Sequence, residues 1–180
     1  MGKVARVLAI DAARQFGWAY GSTDGAPESG FGEFGVPGNQ PEIFGGALRW
    51  MNTFLKEHPV DMVVIEKPNA HLQKVTNFDT MLVLMGLVGC LQGMTHTHRI
   101  HRQLLVDVQD CRRYFIGRQF GNAKGDRAKA LVRQRCIELG FVPRSCLNTD
   151  QTDALAVWSW TCGKVDPDNA VRFSPLFTGL

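Results

Sequence analysis

The order of strand and helix signals along the chain predicts an α/β protein with a mixed five-stranded sheet flanked by helices. Three strand signals come first with no helix between them, which is typical of an antiparallel meander. Two more strand signals follow, each after a helix signal, and such connections add parallel strands. The length of 180 residues and the hydrophobic content of 44% favour one domain with a substantial core.

The strands are predicted from short apolar runs. The first run is β-branched and ends at Asp11, and the fourth ends at Glu66. Turn-forming residues at 23–27 join the second run to the third. The five predicted strands cover residues 4–10, 16–22, 28–36, 61–66 and 99–106.

The helices are predicted from apolar residues at a spacing of three and four. The fourth helix is basic and ends at Gly140, a residue that favours helix termination. The five predicted helices cover residues 44–58, 80–94, 108–115, 128–139 and 149–162. We expect one domain over residues 1–163 and a tail over residues 164–180, which holds two prolines and shows no periodicity.

Composition points to a soluble, cytoplasmic protein without a membrane partner. No stretch approaches the roughly 18 consecutive apolar residues of a membrane span, and the first apolar run is too short for a signal peptide. The 5 cysteines are odd in number and scattered, with no C-x-x-C pair. This pattern argues against both a disulfide framework and a zinc ribbon.

The positive charge is concentrated in one segment. Residues 99–144 carry 11 Lys and Arg against 4 Asp and Glu, so their net charge is +7, whereas the rest of the chain sums to −4. This separation predicts a surface for a polyanion such as DNA, and the alternative is a solvated helical face. The candidate phosphate contacts in this segment are Arg112, Arg113, Arg118, Arg127 and Lys129.

Four acids stand out by position. Asp11 and Glu66 each end an apolar strand, and Asp150 and Asp153 lie three residues apart on the last helix, so they share a face. Such acids would repel each other if they converged, and divalent cations with oxygen ligands neutralise them. Two ions about 3.5–4 Å apart can promote phosphoryl displacement. The sequence therefore predicts a two-metal site.

Three of these acids have a structural alternative. Asp150 could cap the last helix or interact with its dipole. Asp11 could form a turn, and Glu66 could pair with Lys67. Asp153 has no capping role, because it shares a stripe with apolar residues of the helix. The joint pattern of all four favours the metal site.

Four segments together resemble RuvC-type Holliday junction resolvases. They are V-L-A-I-D-A-A-R-Q-F-G-W-A-Y-G at 7–21, V-V-I-E-K-P at 63–68, G-N-A-K-G-D-R-A-K-A-L-V at 121–132 and D-Q-T-D-A-L-A-V-W at 150–158. In that family a strand ending in Asp is followed by a second strand that opens with Gly. The resemblance covers about residues 4–163, with motif order and spacing kept.

The resemblance implies a ribonuclease H-like fold and a homodimeric endonuclease that cuts branched DNA in recombination and repair. It implies dependence on Mg²⁺, or on Mn²⁺ in its place, with Asp11, Glu66, Asp150 and Asp153 as catalytic metal ligands. Asp11 would bridge both ions and Glu66 would hold one. Lys124 matches the basic loop near the scissile phosphate. Cleavage would leave 5′-phosphate and 3′-hydroxyl ends.

Two other segments bear on partners. The helix over residues 80–94 carries Gly86, Gly89 and Gly93, and it could be a dimer interface or part of the core. Residues 172–177 resemble a sliding-clamp-binding peptide.

Two other functions stay open: a nuclease of the same fold that acts on RNA or flap DNA, and a non-catalytic nucleic-acid-binding protein.

Overall fold

A computed structural model describes residues 4–68, 78–117 and 122–170, and it confirms the predicted mixed α/β class. The strands are β1 Arg6–Asp11, β2 Gln15–Ser22, β3 Glu28–Glu33, β4 Met62–Glu66 and β5 Gln103–Val106. The helices are α1 Gln40–Glu57, α2 Phe78–Thr97, α3 Val108–Ile116, α4 Gly125–Glu138, α5 Thr149–Val165 and α6 Pro167–Ala170.

The five strands form one sheet in the order β3-β2-β1-β4-β5. β1, β2 and β3 pair antiparallel, as the meander prediction requires. β4 pairs parallel with β1, and β5 pairs parallel with β4. The carboxyl ends of β1 and β4 therefore meet at the same edge of the sheet, which is where ligands bind in many α/β proteins.

Both faces of β1 are buried, so its residues 7–10 are all apolar rather than alternating with polar residues. Val7 and Ala9 join a core cluster formed with α3, α4 and α5. Leu8 and Ile10 join a second cluster that α1 and α2 cover. The central strand is thereby held between two helical layers, and the acid at its end has a rigid support.

The start of α5 lies against the second strand at Gly17. A Cβ atom placed on Gly17 would lie 2.0 Å from the carbonyl oxygen of Asp150, far inside van der Waals contact. Only glycine permits this approach of backbone to backbone. The Gly at the opening of β2 therefore allows the first turn of α5 to reach the edge of the sheet.

The predicted elements are present, with shifted ends. β5 is shorter than predicted, and α2 extends to both sides of the predicted range 80–94. α5 continues to Val165 and α6 follows, so helical structure extends past residue 163, and the start of the tail stays a prediction. Residues 172–177, which resemble a sliding-clamp-binding peptide, lie outside the described residues.

By length and composition alone, α2 is the one helix in the described ranges that could cross a membrane.

Candidate active site

Asp11 and Glu66 occupy the ends of neighbouring parallel strands. Ile10 pairs with Ile65 in the β1–β4 register, so the acid that follows each of them lies beside the other. The Asp11 carboxyl donates a hydrogen bond to the Glu66 carboxylate. Lys67 forms its ion pair with Asp107, at 3.6 Å, so the alternative of a surface pair with Glu66 is not what the structure shows.

Asp150 and Asp153 enter the site from α5. The N-cap of this helix is Asn148, whose side chain accepts a hydrogen bond from the Gln151 amide at 2.8 Å. The capping role considered for Asp150 therefore belongs to Asn148. The Asp150 side chain is 28% exposed, whereas that of Asp153 is 1% exposed.

The four acids lie close enough to interact electrostatically. Burial raises the pKa of Asp11 well above its ordinary value, and the charges of Glu66, Asp153 and Asp150 raise it further. Burial, followed by the charge of Asp153, raises the pKa of Glu66 to about 7. We call these four residues the acid cluster. Its members destabilise each other when ionised, which is the property of a site that needs cations.

Arg112 contacts the acid cluster from α3. Its Nε donates to Asp153 Oδ1 at 2.8 Å and its Nη2 to Asp153 Oδ2 at 2.5 Å, which is a two-pronged contact. The side chain of Arg112 is 7% exposed. The prediction that Arg112 binds DNA is therefore corrected, because a guanidinium buried against Asp153 offers no surface to a phosphate.

The other predicted basic residues lie in three settings. Lys129 extends between the helical acids, with its Nζ 3.7 Å from Asp150 Oδ1 and 3.8 Å from Asp153 Oδ2. Lys124 and Arg127 are exposed at the start of α4. Arg113 is exposed and pairs with Asp110 at 2.8 Å. The remaining candidate, Arg118, lies outside the described residues.

The donor atoms of the acid cluster fit Mg²⁺ or Mn²⁺. Carboxylate oxygens are the hard ligands that these ions prefer, and burial together with neighbouring carboxylates raises the pKa of both Asp11 and Glu66, so a bound cation would favour their ionised forms. As the side chains stand, no three His, Cys, Asp or Glu residues within 4–68, 78–117 and 122–170 are grouped closely enough to hold a metal ion. Asp153 faces Arg112, and Asp11 bonds to Glu66, so metal binding requires these side chains to turn.

A cleft of about 660 Å³ opens beside Asp150. Its walls come from the β1–β2 turn, the loop after β3 and the first turns of α2. Ala13, Gln15, Pro37 and Val83 are among the residues that line it. The cleft gives an extended substrate a path to the acid cluster.

Solved structures of resolvases share this fold. The chain superposes on RuvC of Thermus thermophilus in complex with a Holliday junction substrate with a TM-score of 0.63, at 11% identity over 85% of this chain and 89% of that one. A second Thermus thermophilus RuvC structure gives 0.63 at 13% identity, over 94% and 98%. The yeast mitochondrial Holliday junction resolvase Ydc2 gives 0.59 at 13% identity, over 94% and 84%. No protein-family model and no curated protein matches the sequence.

These superpositions cover most of both partners in each case. The chain therefore has a RuvC-like, ribonuclease H-like fold, as the sequence motifs predict. At identities of 11–13%, these superpositions establish the fold alone, so substrate and activity must be argued from the chemistry of the site.

Proposed function

We propose that this protein is a metal-dependent endodeoxyribonuclease that cleaves Holliday junctions or related branched DNA. The observation that carries the proposal is the acid cluster, in which two strand ends and one helix bring four carboxylates together at the edge of the sheet. The fold shared with junction-resolving proteins supports a nuclease acting on branched DNA. The intact set of acids counts against a non-catalytic binding protein.

In this proposal the acid cluster holds Mg²⁺, or Mn²⁺ in its place. Bound ions would neutralise the charge that develops on the phosphodiester and lower the pKa of an attacking water. Asp11 would serve both ions in this proposal, and the charges of Glu66, Asp153 and Asp150, which raise its pKa further after burial, support its central position. Direct attack by water leaves a 5′-phosphate and a 3′-hydroxyl.

Exposed basic residues on the helix that contacts the acid cluster supply the proposed DNA contacts. Lys124 and Arg127 lie at the start of α4, in the same helix whose Lys129 contacts Asp150. A DNA strand whose phosphates lie along these basic side chains would reach the acid cluster with its negative charge compensated. Lys124 is the proposed contact closest to the scissile phosphate.

We further propose a homodimer formed through α2. Leu82 and Met85 of this helix are 42% and 58% exposed. They lie on one stripe with Gly89 and Gly93, both of which have open space where a Cβ would be. An exposed apolar stripe with small residues permits close packing of two helices. A two-fold dimer places one active site at each of the two symmetric strands of a junction.

The third glycine of α2 does not belong to this surface. A Cβ on Gly86 would lie 2.4 Å from the ring of Phe44 in α1, so Gly86 serves packing within the protomer. Of the two interpretations of these glycines, core packing holds for Gly86. Gly89 and Gly93 are the positions at which the dimer can be tested.

The dimer is tested by Gly89→Leu, studied by sedimentation at micromolar concentration. A Cβ atom at position 89 would have no atom within 4 Å in the described part of the chain, so the substitution starts from open space. We therefore expect a folded monomer that still nicks simple substrates and loses paired cleavage of a junction. Gly93→Ala, a small change on the same stripe, serves as the control and should remain dimeric. A wild-type monomer, with and without DNA, contradicts the dimer.

The substrate is tested with a synthetic four-way junction, a flap, a linear duplex and an RNA–DNA hybrid, each with and without Mg²⁺. We expect the junction to be cleaved when Mg²⁺ is present and to stay intact when it is absent. Preference for the flap or the hybrid would favour the alternative nuclease. Tight binding of every substrate without cleavage, with Mg²⁺ present or absent, would favour the non-catalytic protein.

A further inference from the structure

Asp153 is already neutralised by a cation of the protein itself. The two nitrogens of Arg112 that contact it take one carboxylate oxygen each, at 2.8 and 2.5 Å. The two side chains are 7% and 1% exposed, so water screens this pair poorly. The guanidinium thus supplies the positive charge that a metal ion bound by Asp153 would supply, and it contacts the same two carboxylate oxygens.

The position of Arg112 on its helix shows why it points inward. It lies four residues after Val108 and three before Phe115, and both of these are buried. The helix therefore directs position 112 toward the core, where a charged side chain needs a partner. Arg113, one position further, is exposed instead. The orientation of Arg112 toward α5 is thus fixed by packing.

This contact conflicts with metal binding by Asp153. A guanidinium fork fits a carboxylate edge-on and fixes the direction of both oxygens. A divalent cation held together with Asp11 and Glu66 would draw on the same two Asp153 oxygens that accept from Arg112. The absence of any ready three-ligand group within the described ranges agrees with this conflict. Coordination of a metal ion by Asp153 would therefore weaken its contact with Arg112.

We propose that Arg112 is an internal competitor for the metal ion, holding Asp153 until a divalent cation displaces it. This inference rests on the proposed metal-dependent function and adds a residue that sets metal affinity. The competition lowers metal affinity in the absence of DNA. It also couples metal binding to a movement of the Arg112 side chain away from Asp153.

The test is calorimetric titration of the DNA-free protein with Mn²⁺. Arg112→Met removes the guanidinium charge and keeps the volume of the buried stem, while Lys129, 3.8 Å from Asp153, stays in place in both proteins. We expect its Mn²⁺ affinity to rise at least about tenfold, because a buried cation next to the ligand repels the ion. Arg49→Met changes an exposed arginine of α1 by the same chemistry and should bind Mn²⁺ as the wild type does. Unchanged or weaker binding by Arg112→Met overturns the proposal.

The wild-type protein offers a second measurement that needs no core variant. In a titration with Mg²⁺, the ¹⁵N–¹H signal of the Arg112 side-chain Nε should shift, because its bond to Asp153 breaks. Arg112→Lys assigns this signal by removing it. A signal that stays fixed while Mg²⁺ saturates the site overturns the proposal even if Arg112→Met does not fold.

The outcomes separate this inference from the proposed function. If neither the wild type nor Arg112→Met binds Mn²⁺, the metal-dependent function fails and this proposal fails with it. If both bind with equal affinity, the function stands and the competition is overturned. Tighter binding by Arg112→Met, together with the shift of the Nε signal, supports both.

Discussion

Glu66→Gln should stabilise the metal-free protein at high pH while it removes a proposed metal ligand. The folded protein raises the pKa of Glu66 from 4.5 to about 7. Between these values the unfolded chain loses its proton and the folded chain keeps it, so stability falls as the pH rises through this window. At about 1.36 kcal/mol per pKa unit, the loss above pH 7 is roughly 3 kcal/mol. Glutamine keeps the shape and can still accept the hydrogen bond from Asp11.

The assay is urea unfolding in EDTA at pH 4 and pH 8. At pH 8 the variant should exceed the wild type by roughly 3 kcal/mol, which is about 6–12 °C in Tm for a chain of this size. At pH 4 both proteins carry a neutral side chain, so the difference should vanish. Saturating Mg²⁺ should raise the free energy of unfolding of the wild type at pH 8, and it should raise that of the variant by less. An equal difference at both pH values would refute the argument, because ionisation of Glu66 would then not be its cause.

Three further predictions concern neighbouring parts of the site. Asp150→Asn should cut cleavage by at least about 10²-fold with unchanged stability. Asn148→Ala should instead cost about 1 kcal/mol of stability and leave the cleavage rate unchanged. The reverse pattern would assign the helix cap to Asp150. Neutralising Lys124 and Arg127 together should reduce the log–log salt slope of DNA binding by about 1.8, and an unchanged slope would make them a solvated face. Gly17→Ala should cost about 1–3 kcal/mol in thermal unfolding and slow cleavage, because its Cβ meets the backbone of α5; wild-type stability and rate would contradict that close approach.

The fold was predictable because its decisive signals are local. The first strand and the fourth are apolar runs that each end in an acid, and the helix between their signals implies parallel pairing. Parallel pairing places Asp11 and Glu66 at one edge without further information. The spacing of Asp150 and Asp153 likewise needs only helical geometry.

The partners of these acids were not predictable from charge counts. A count of charges groups Arg112 with the basic residues of the surface, although its spacing from Val108 and Phe115 marks it as inward-facing. That signal was in the sequence, but a count of charges does not distinguish the faces of a helix. The packing of Gly86 against Phe44 joins residues far apart in the chain, and no local pattern specifies such a contact.

The central claim is that the acid cluster is a metal-dependent nuclease centre, and single-turnover cleavage of a four-way junction tests it most directly. Wild type and Asp11→Asn are compared in Mg²⁺ at protein concentrations that saturate the DNA. The account predicts a fall in rate of at least about 10²-fold with junction binding retained, since removing a negative charge does not weaken attraction to phosphate. Equal cleavage by both proteins, or cleavage by the wild type that persists in EDTA, would contradict it.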